Sequence, residues 1–173
     1  FILVAIFLLV WLINVFNFMD AIDGMALSGS IMIAWSAALI IFFGQGSINE
    51  NSIMLFLLGF ICLAFLLFNF PPASIFMGDA GSLFLGYFFG GIIVKTFIDG
   101  DINVWTWLII LSHFLTETTL STLMRIKLTK DWYKAHRSLS YQNLARILKS
   151  HRKVTIGSII FYTFWLFPLA ILS

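Results

Sequence analysis

The 173-residue sequence is 61% hydrophobic and 10% charged, with a mean hydropathy of +1.01. Soluble domains carry roughly a quarter charged residues, so this composition excludes a soluble enzyme and requires an integral membrane protein. The formal net charge is only +2 and the single cysteine is Cys62, which rules out an intrachain disulfide and argues against a metal-thiolate site.

Phe1 is not an initiator residue, and the chain opens inside an apolar run without the basic flank of a signal peptide. The expectation is a fragment whose true N-terminus lies upstream. A bilayer core takes about 20 apolar residues per helix. Six stretches qualify: 1–19, 26–44, 53–70, 82–98, 103–124 and 154–172. The runs are too continuous for a lipid-facing β-barrel, whose strands alternate. The predicted fold is therefore all-α: a polytopic membrane helix bundle of about six transmembrane helices. Residues 1–173 form one membrane domain with a hydrophilic loop at 125–153.

The first segment runs into "NFMDAIDG". Asn14, Asn17, Asp20 and Asp23 recur at intervals of three, a spacing that on one continuous helix makes a polar stripe, with Gly24 ending the helix. Their oxygens are hard ligands suited to Mg²⁺. The plainer reading is a helix end with carboxylates in water and amides bonded to neighbouring helices.

In "FPPASIFMGDAGS", Pro71 and Pro72 stop one helix and the glycine-containing run opens the next. Asp79 then falls at a helix N-terminus beside Gly78 and Gly81. There it either caps the helix or holds a metal bridging to phosphate.

The fifth segment places His113 and Glu117 on one helical face. An intramembrane acid faces a cavity or a partner, and pairing of Glu117 with Arg125 or Asn17 competes with direct chemistry. His113 reads as a hydrogen-bonded interior histidine.

Nine of the ten Lys and Arg residues fall within 125–153, which places that loop in the cytoplasm. By alternation, "NFMDAIDG" and "FPPASIFMGDAG" share that side. Within the loop, residues 139–149 put Leu139, Leu144, Ile147 and Leu148 on one side of an amphipathic surface helix. His136, Arg137 and Ser138 either grip nucleotide phosphates or belong to a basic face on anionic lipid.

Taken together, these stretches resemble the polyprenyl-phosphate N-acetylhexosamine-1-phosphate transferase family, glycosyltransferase family 4. "NVFNFMDAIDG" is similar to N-x-x-N-x-x-D-G-x-D-G, with Ala21 in place of the first Gly. "PPASIFMGDAGSLFLG" is similar to P-A-x-x-F-M-G-D-x-G-S-x-x-L-G, the most specific part of the match. "ETTLSTLMR" resembles the family's acidic-Thr helix ending in Arg, and "AHRSLSYQNLAR" its His-containing cytoplasmic loop. That loop looks most like the O-antigen-initiating UDP-FucNAc/QuiNAc-type branch, whose pattern is H-R-S-H-A-Y-Q. Leu139 stands here where the second His is expected, and Ser140 where Ala is. The family's adjacent-Asp motif lies on an earlier helix, so the chain corresponds to the C-terminal part of a larger enzyme.

The resemblance implies transfer of a sugar-1-phosphate from a UDP-N-acetylhexosamine to undecaprenyl phosphate with release of UMP, initiating a bacterial envelope polysaccharide. It implies a Mg²⁺ cofactor, with Mn²⁺ as the alternative, and a multi-pass protein of the bacterial inner membrane whose site faces the cytoplasm. Catalytic roles would fall to Asp20, Asp23 and Asp79, and metal ligation to Asp79 and Asn17. Substrate contacts would come from Asn14, Asn17, Gly78, Gly81, Ser82, His136, Arg137 and Ser138. Partners would be the UDP-sugar, the polyprenyl phosphate and the bilayer, with a homodimer allowed and no nucleic acid. Two rival classes stand beside this reading. A catalytically inactive fragment or interaction subunit would lack the upstream motif, and a transporter would expose polar groups at the bilayer midplane.

Overall fold

The computed structural model describes residues 2–128 and 139–173, and every described element is helical. The elements are α1 (Ile2–Met19), α2 (Met25–Gln45), α3 (Glu50–Asn69), α4 (Gly78–Ile98), α5 (Val104–Leu128) and α6 (Ser140–Leu148). Then α7 (His151–Phe161) runs through a π-helical turn at Tyr162–Leu166 into α8 (Phe167–Ile171). Among the described residues, five helical spans are long and apolar enough to cross a membrane: α1, α2, α3, α4 and the continuous stretch His151–Ile171. The sixth expected span, α5, has 25 residues and is about 37 Å long at 1.5 Å per residue. Glu117, Arg125 and Lys127 interrupt its apolar character, so composition alone does not mark it as a span.

The centre of the bundle is α2, whose Ile33, Ala34, Ala37, Ala38 and Ile41 are completely buried. Small residues let neighbouring helices approach, which matters in lipid because the hydrophobic effect gives little drive between apolar helices. An aromatic cluster joins α1, α4 and α5. Phe16 stacks on Phe89 at 4.9 Å between ring centres and meets Phe114 edge-on at 5.2 Å. On the same α1–α4 seam, a Cβ added at Gly86 would lie 2.5 Å from the Cα of Ile13. Only glycine permits this approach, and its consequence appears one turn further along both helices.

The four-residue polar stripe does not form as one helical face. α1 ends at Met19, and Asp20 to Gly24 make a turn in which the Asp20 amide donates to the Asn17 carbonyl at 3.2 Å. Gly24 does not terminate α1; it precedes α2, in the left-handed region at φ 73°. Its amide donates to the Asn69 side-chain oxygen at 2.9 Å, and a Cβ there would crowd Pro71, Leu66 and Thr155. The turn therefore locks into the end of α3. That helix stops where expected, with Phe70 extended ahead of Pro71 and Pro72.

At the opposite end of the bundle, the α2–α3 turn is tied to the α4–α5 turn by a polar knot. Asn51, 2% exposed, donates to Asp99 at 2.8 Å and to Asp101 at 2.6 Å. Asn49 also donates to Asp101, at 3.0 Å, as does Gln45. Lys95 pairs with Asp99 at 2.8 Å. Asn49 additionally caps α3 in a capping box with Ser52.

Candidate active site

One turn from the Gly86–Ile13 contact, the amide of Asn17 on α1 donates to Asp79 Oδ1 at 2.9 Å and to Ser82 Oγ at 3.0 Å on α4. The close helix approach is what lets one amide span both. Ser82 is completely buried and donates back to the Gly78 carbonyl at 3.2 Å, fixing the first turn of α4. Asp79 lies in that first turn, where free backbone amides and the helix dipole favour negative charge. No side-chain cap hydrogen bond closes this helix start, so Asp79 does not act as its N-cap. Gly78 precedes it at φ 65°, a conformation suited to glycine.

Asp20 joins this group from the turn. Burial pushes its carboxyl up to about 6, a backbone hydrogen bond from Gly78 opposes the shift, and the Asp79 charge adds to it. Asp20 and Asp79 are thus two carboxylates that repel each other at one end of an apolar bundle.

Asp23 belongs to an adjoining wall. Its carboxylate accepts the Ala73 amide at 3.2 Å and faces His151 Nδ1 at 3.3 Å, while its carbonyl accepts the Thr155 hydroxyl at 2.9 Å. It clamps the turn after α1 to the Pro-containing segment and to α7. Beside it opens a cavity of about 770 Å³ lined by Phe76, Gln142, Arg146, Lys149 and His151 as well as Asp23. Small-molecule pockets run roughly 300–1,000 Å³, so the space suits a nucleotide-sized ligand, with basic groups on one side.

Of the residues expected in the site, the structure brings together Asn17, Asp20, Gly78, Asp79 and Ser82, with Asp23 alongside. Asn14 is not among them. Its amide turns back onto the Val10 carbonyl at 2.8 Å on its own helix. Gly81 lies against Met77, whose Cγ would be 2.2 Å from an added Cβ. His136, Arg137 and Ser138 lie outside the described residues. His151 was not expected. It falls in a run of basic residues, and only the fold reveals its pairing with Asp23.

The surface helix α6 also differs from expectation. Its buried face is Tyr141, Gln142 and Ala145, and Leu139 is buried just ahead of it. Leu144, Ile147 and Leu148 form a separate exposed side. Tyr141 anchors the helix to the end of α1 by donating to the Phe18 carbonyl. Burial pushes its phenol well above the usual range, and the charges of Glu117 and Asp20 add to that shift. His113 bonds Ser158 through Nε2 at 3.1 Å, as an interior histidine should. Glu117 does not pair with Asn17, whose amide is taken by Asp79 and Ser82.

Among the described residues, no group of three or more His, Cys, Asp or Glu side chains gathers as a self-sufficient metal site. Mg²⁺ does not require one, because it is usually held by one or two carboxylates together with substrate phosphates. The donor set present fits that pattern. Asp79 and Asp20 offer two mutually repelling carboxylates and Asn17 an amide oxygen, and among the described residues no basic side chain is bonded to either acid.

The fold and the cluster define a polytopic helical membrane protein with two acids and an amide gathered at one end of the bundle. Residues 1–97 match the family model for glycosyl transferase family 4. Curated relatives are similar over more of the chain. The phospho-N-acetylmuramoyl-pentapeptide-transferase of Streptococcus pneumoniae (strain CGSP14) is 38% identical over 130 residues, 75% of this chain and 37% of the relative. That of Streptococcus thermophilus (strain CNRZ 1066) is 31% identical over 158 residues, 90% of this chain and 44% of the relative. The chain belongs to glycosyl transferase family 4. It spans less than half the length of these relatives.

Proposed function

We propose that this chain supplies part of the catalytic site of a membrane transferase. The enzyme moves a sugar-1-phosphate from a UDP-N-acetylhexosamine to undecaprenyl phosphate and releases UMP. An oxygen of the lipid phosphate attacks the β-phosphorus of the donor, and the bond from that phosphorus to the bridging oxygen breaks. The electron pair leaves with UMP. The observation that carries this reading is the Asn17 bridge to Asp79 and Ser82, two motifs 62 residues apart in sequence meeting at one helix N-terminus.

Phosphoryl transfer depends on positioning and charge stabilisation more than on covalent chemistry by the protein. Asn17 and Ser82 orient Asp79, and Asp20 sets a second carboxylate beside it. Mg²⁺, or Mn²⁺ in its place, would be held by Asp79 with Asn17 and Asp20 and would offset charge developing on the diphosphate. Asp23 and His151 form the wall of the nucleotide cavity, with Arg146 and Lys149 on its basic side. His136, Arg137 and Ser138 are assigned to phosphate or sugar. The basic loop supports a bundle in the bacterial inner membrane with this end facing the cytoplasm.

For the sugar, the loop pattern from His136 to Gln142 favours a UDP-FucNAc/QuiNAc-type donor and O-antigen initiation. The relatives favour a second reading, a muramoyl-pentapeptide donor. Inverted and right-side-out membrane vesicles carrying the full-length protein, given undecaprenyl phosphate and each donor externally, test both points. UMP release is expected only in inverted vesicles and fastest with the N-acetylhexosamine donor lacking the peptide. Release confined to right-side-out vesicles would contradict the orientation. Release only with the pentapeptide donor would assign the second reading, and none with either would refute the transfer.

A further inference from the structure

A second cavity, about 790 Å³, lies between α5, α6 and α7, away from the Asn17–Asp79 cluster. Its walls are largely apolar, with Met25, Leu144, Leu148, Val154 and Phe161 among them. Glu117 breaks that lining. Its Oε2 is buried and has no hydrogen-bond partner among the described residues. Three of the polar side chains lining the cavity bond elsewhere. His113 and Ser158 bond each other, and the Tyr141 hydroxyl donates to Phe18. An oxygen of an acid left without a partner is costly, so a cation carrying N–H groups in this cavity would complement Glu117.

Two further features narrow the class. Lys153, exposed in the first turn of α7, lines the same cavity and offers a positive charge to an anion. The exposed side of α6, Leu144, Ile147 and Leu148, continues the apolar lining outward, as a helix lying in the bilayer interface does. The complementary ligand has a primary ammonium, a phosphate and acyl chains. We propose that this cavity binds one amine-headgroup phospholipid, phosphatidylethanolamine, with its ammonium on Glu117, its phosphate towards Lys153 and an acyl chain along α6 and Phe161. The polyprenyl phosphate is a poor complement, since it brings an anion to Glu117 and no cation. This inference uses the membrane placement of the bundle and not the transfer chemistry, so either can fail alone.

Native mass spectrometry of the full-length protein in detergent tests it, with phosphatidylethanolamine, phosphatidylcholine and phosphatidylglycerol supplied equally. One phosphatidylethanolamine should be retained about tenfold better than either competitor, roughly the discrimination of one charge-assisted contact. Glu117→Gln should remove that preference, and Lys153→Gln should weaken retention less. Gly157 lines the cavity and has nothing within 4 Å of an added Cβ, so a side chain placed there starts in open space; Gly157→Leu should abolish retention, with thermal unfolding checking that the variant is folded. Equal retention of the three lipids, a preference surviving Glu117→Gln, or retention unaffected by Gly157→Leu would overturn the proposal. Displacement of the bound lipid by undecaprenyl phosphate would also overturn it, assigning the cavity to the acceptor.

Discussion

The two ends of the bundle both present carboxylates, yet they treat them in opposite ways. At the α2–α3 and α4–α5 turns, Asp99 and Asp101 receive amide hydrogens from Gln45, Asn49 and Asn51, and Lys95 pairs with Asp99. The Lys95 hydrogen bond, with that of Asn51, holds the Asp99 carboxyl below its usual range. These acids are satisfied by the protein itself and staple two turns together. At the other end, Asp20 is half-buried beside Asp79 and its carboxyl is raised, first by burial. Asp79 receives one amide hydrogen, from Asn17. Similar residue types make a closed structural knot in one place and, among the described residues, an acid pair without a basic partner in the other. The difference lies in the partners: amides and a lysine at one end, a helix N-terminus and a second acid at the other. Among the described residues no basic side chain offsets that pair; two acids without such a partner suit a divalent cation, and the helix N-terminus beside them suits phosphate.

The largest expected effect comes from exchanging equivalent substitutions between the ends. Asp79→Asn in the full-length enzyme should lower UMP release by about 10²–10³-fold, the usual cost of losing one preorganised electrostatic group. Asp99→Asn should leave it within about twofold, since surface ion pairs contribute little. Similar losses at both ends would erase the contrast.

Next is Gly86→Ala, which touches neither end directly. Its Cβ would meet the backbone of Ile13, so α1 and α4 must separate. A stability loss of about 1–3 kcal/mol is expected from overpacking. Turnover per folded molecule should fall about tenfold, because a shift near 1 Å at a catalytic contact costs up to about a hundredfold. Thermal unfolding and single-turnover UMP release on the same sample separate the two. Unchanged turnover would mean that the helix seam does not position Asn17.

The smallest catalytic effect is expected at the knot. Asn51→Ala removes two charge-assisted hydrogen bonds and should destabilise the protein by about 1–3 kcal/mol. Turnover per folded molecule should stay unchanged. A turnover loss exceeding the folded-fraction loss would tie the knot to the chemistry.

Much of this contrast was readable before the fold. Proline at 71 and 72 ended α3 as the backbone chemistry demands, and the helix start near Gly78 followed from the same stretch. What failed was the geometry of the stripe. A three-residue spacing marks neighbouring positions only while the helix continues, and here the chain turns after Met19 to reach Asn69 and α4. Asp20 and Asp23 therefore diverge to different walls, and Asn14 stays behind on its own helix. Leu139 grouped with Leu144, Ile147 and Leu148 by periodicity. Its position just ahead of α6 buries it away from them. His151 carried no local signal, because its partner Asp23 is distant in sequence and only packing of α7 against the turn joins them.

The most direct measurement is a double-mutant cycle between Asn17 and Asp79, with single-turnover UMP release read in the full-length enzyme for Asn17→Ala, Asp79→Asn and the pair. If Asn17 acts by orienting Asp79, the double variant should be no slower than Asp79→Asn alone, a departure from additivity of tenfold or more, as for catalytic groups that act as one unit. Losses that simply multiply would contradict the account, since the two residues would then act independently.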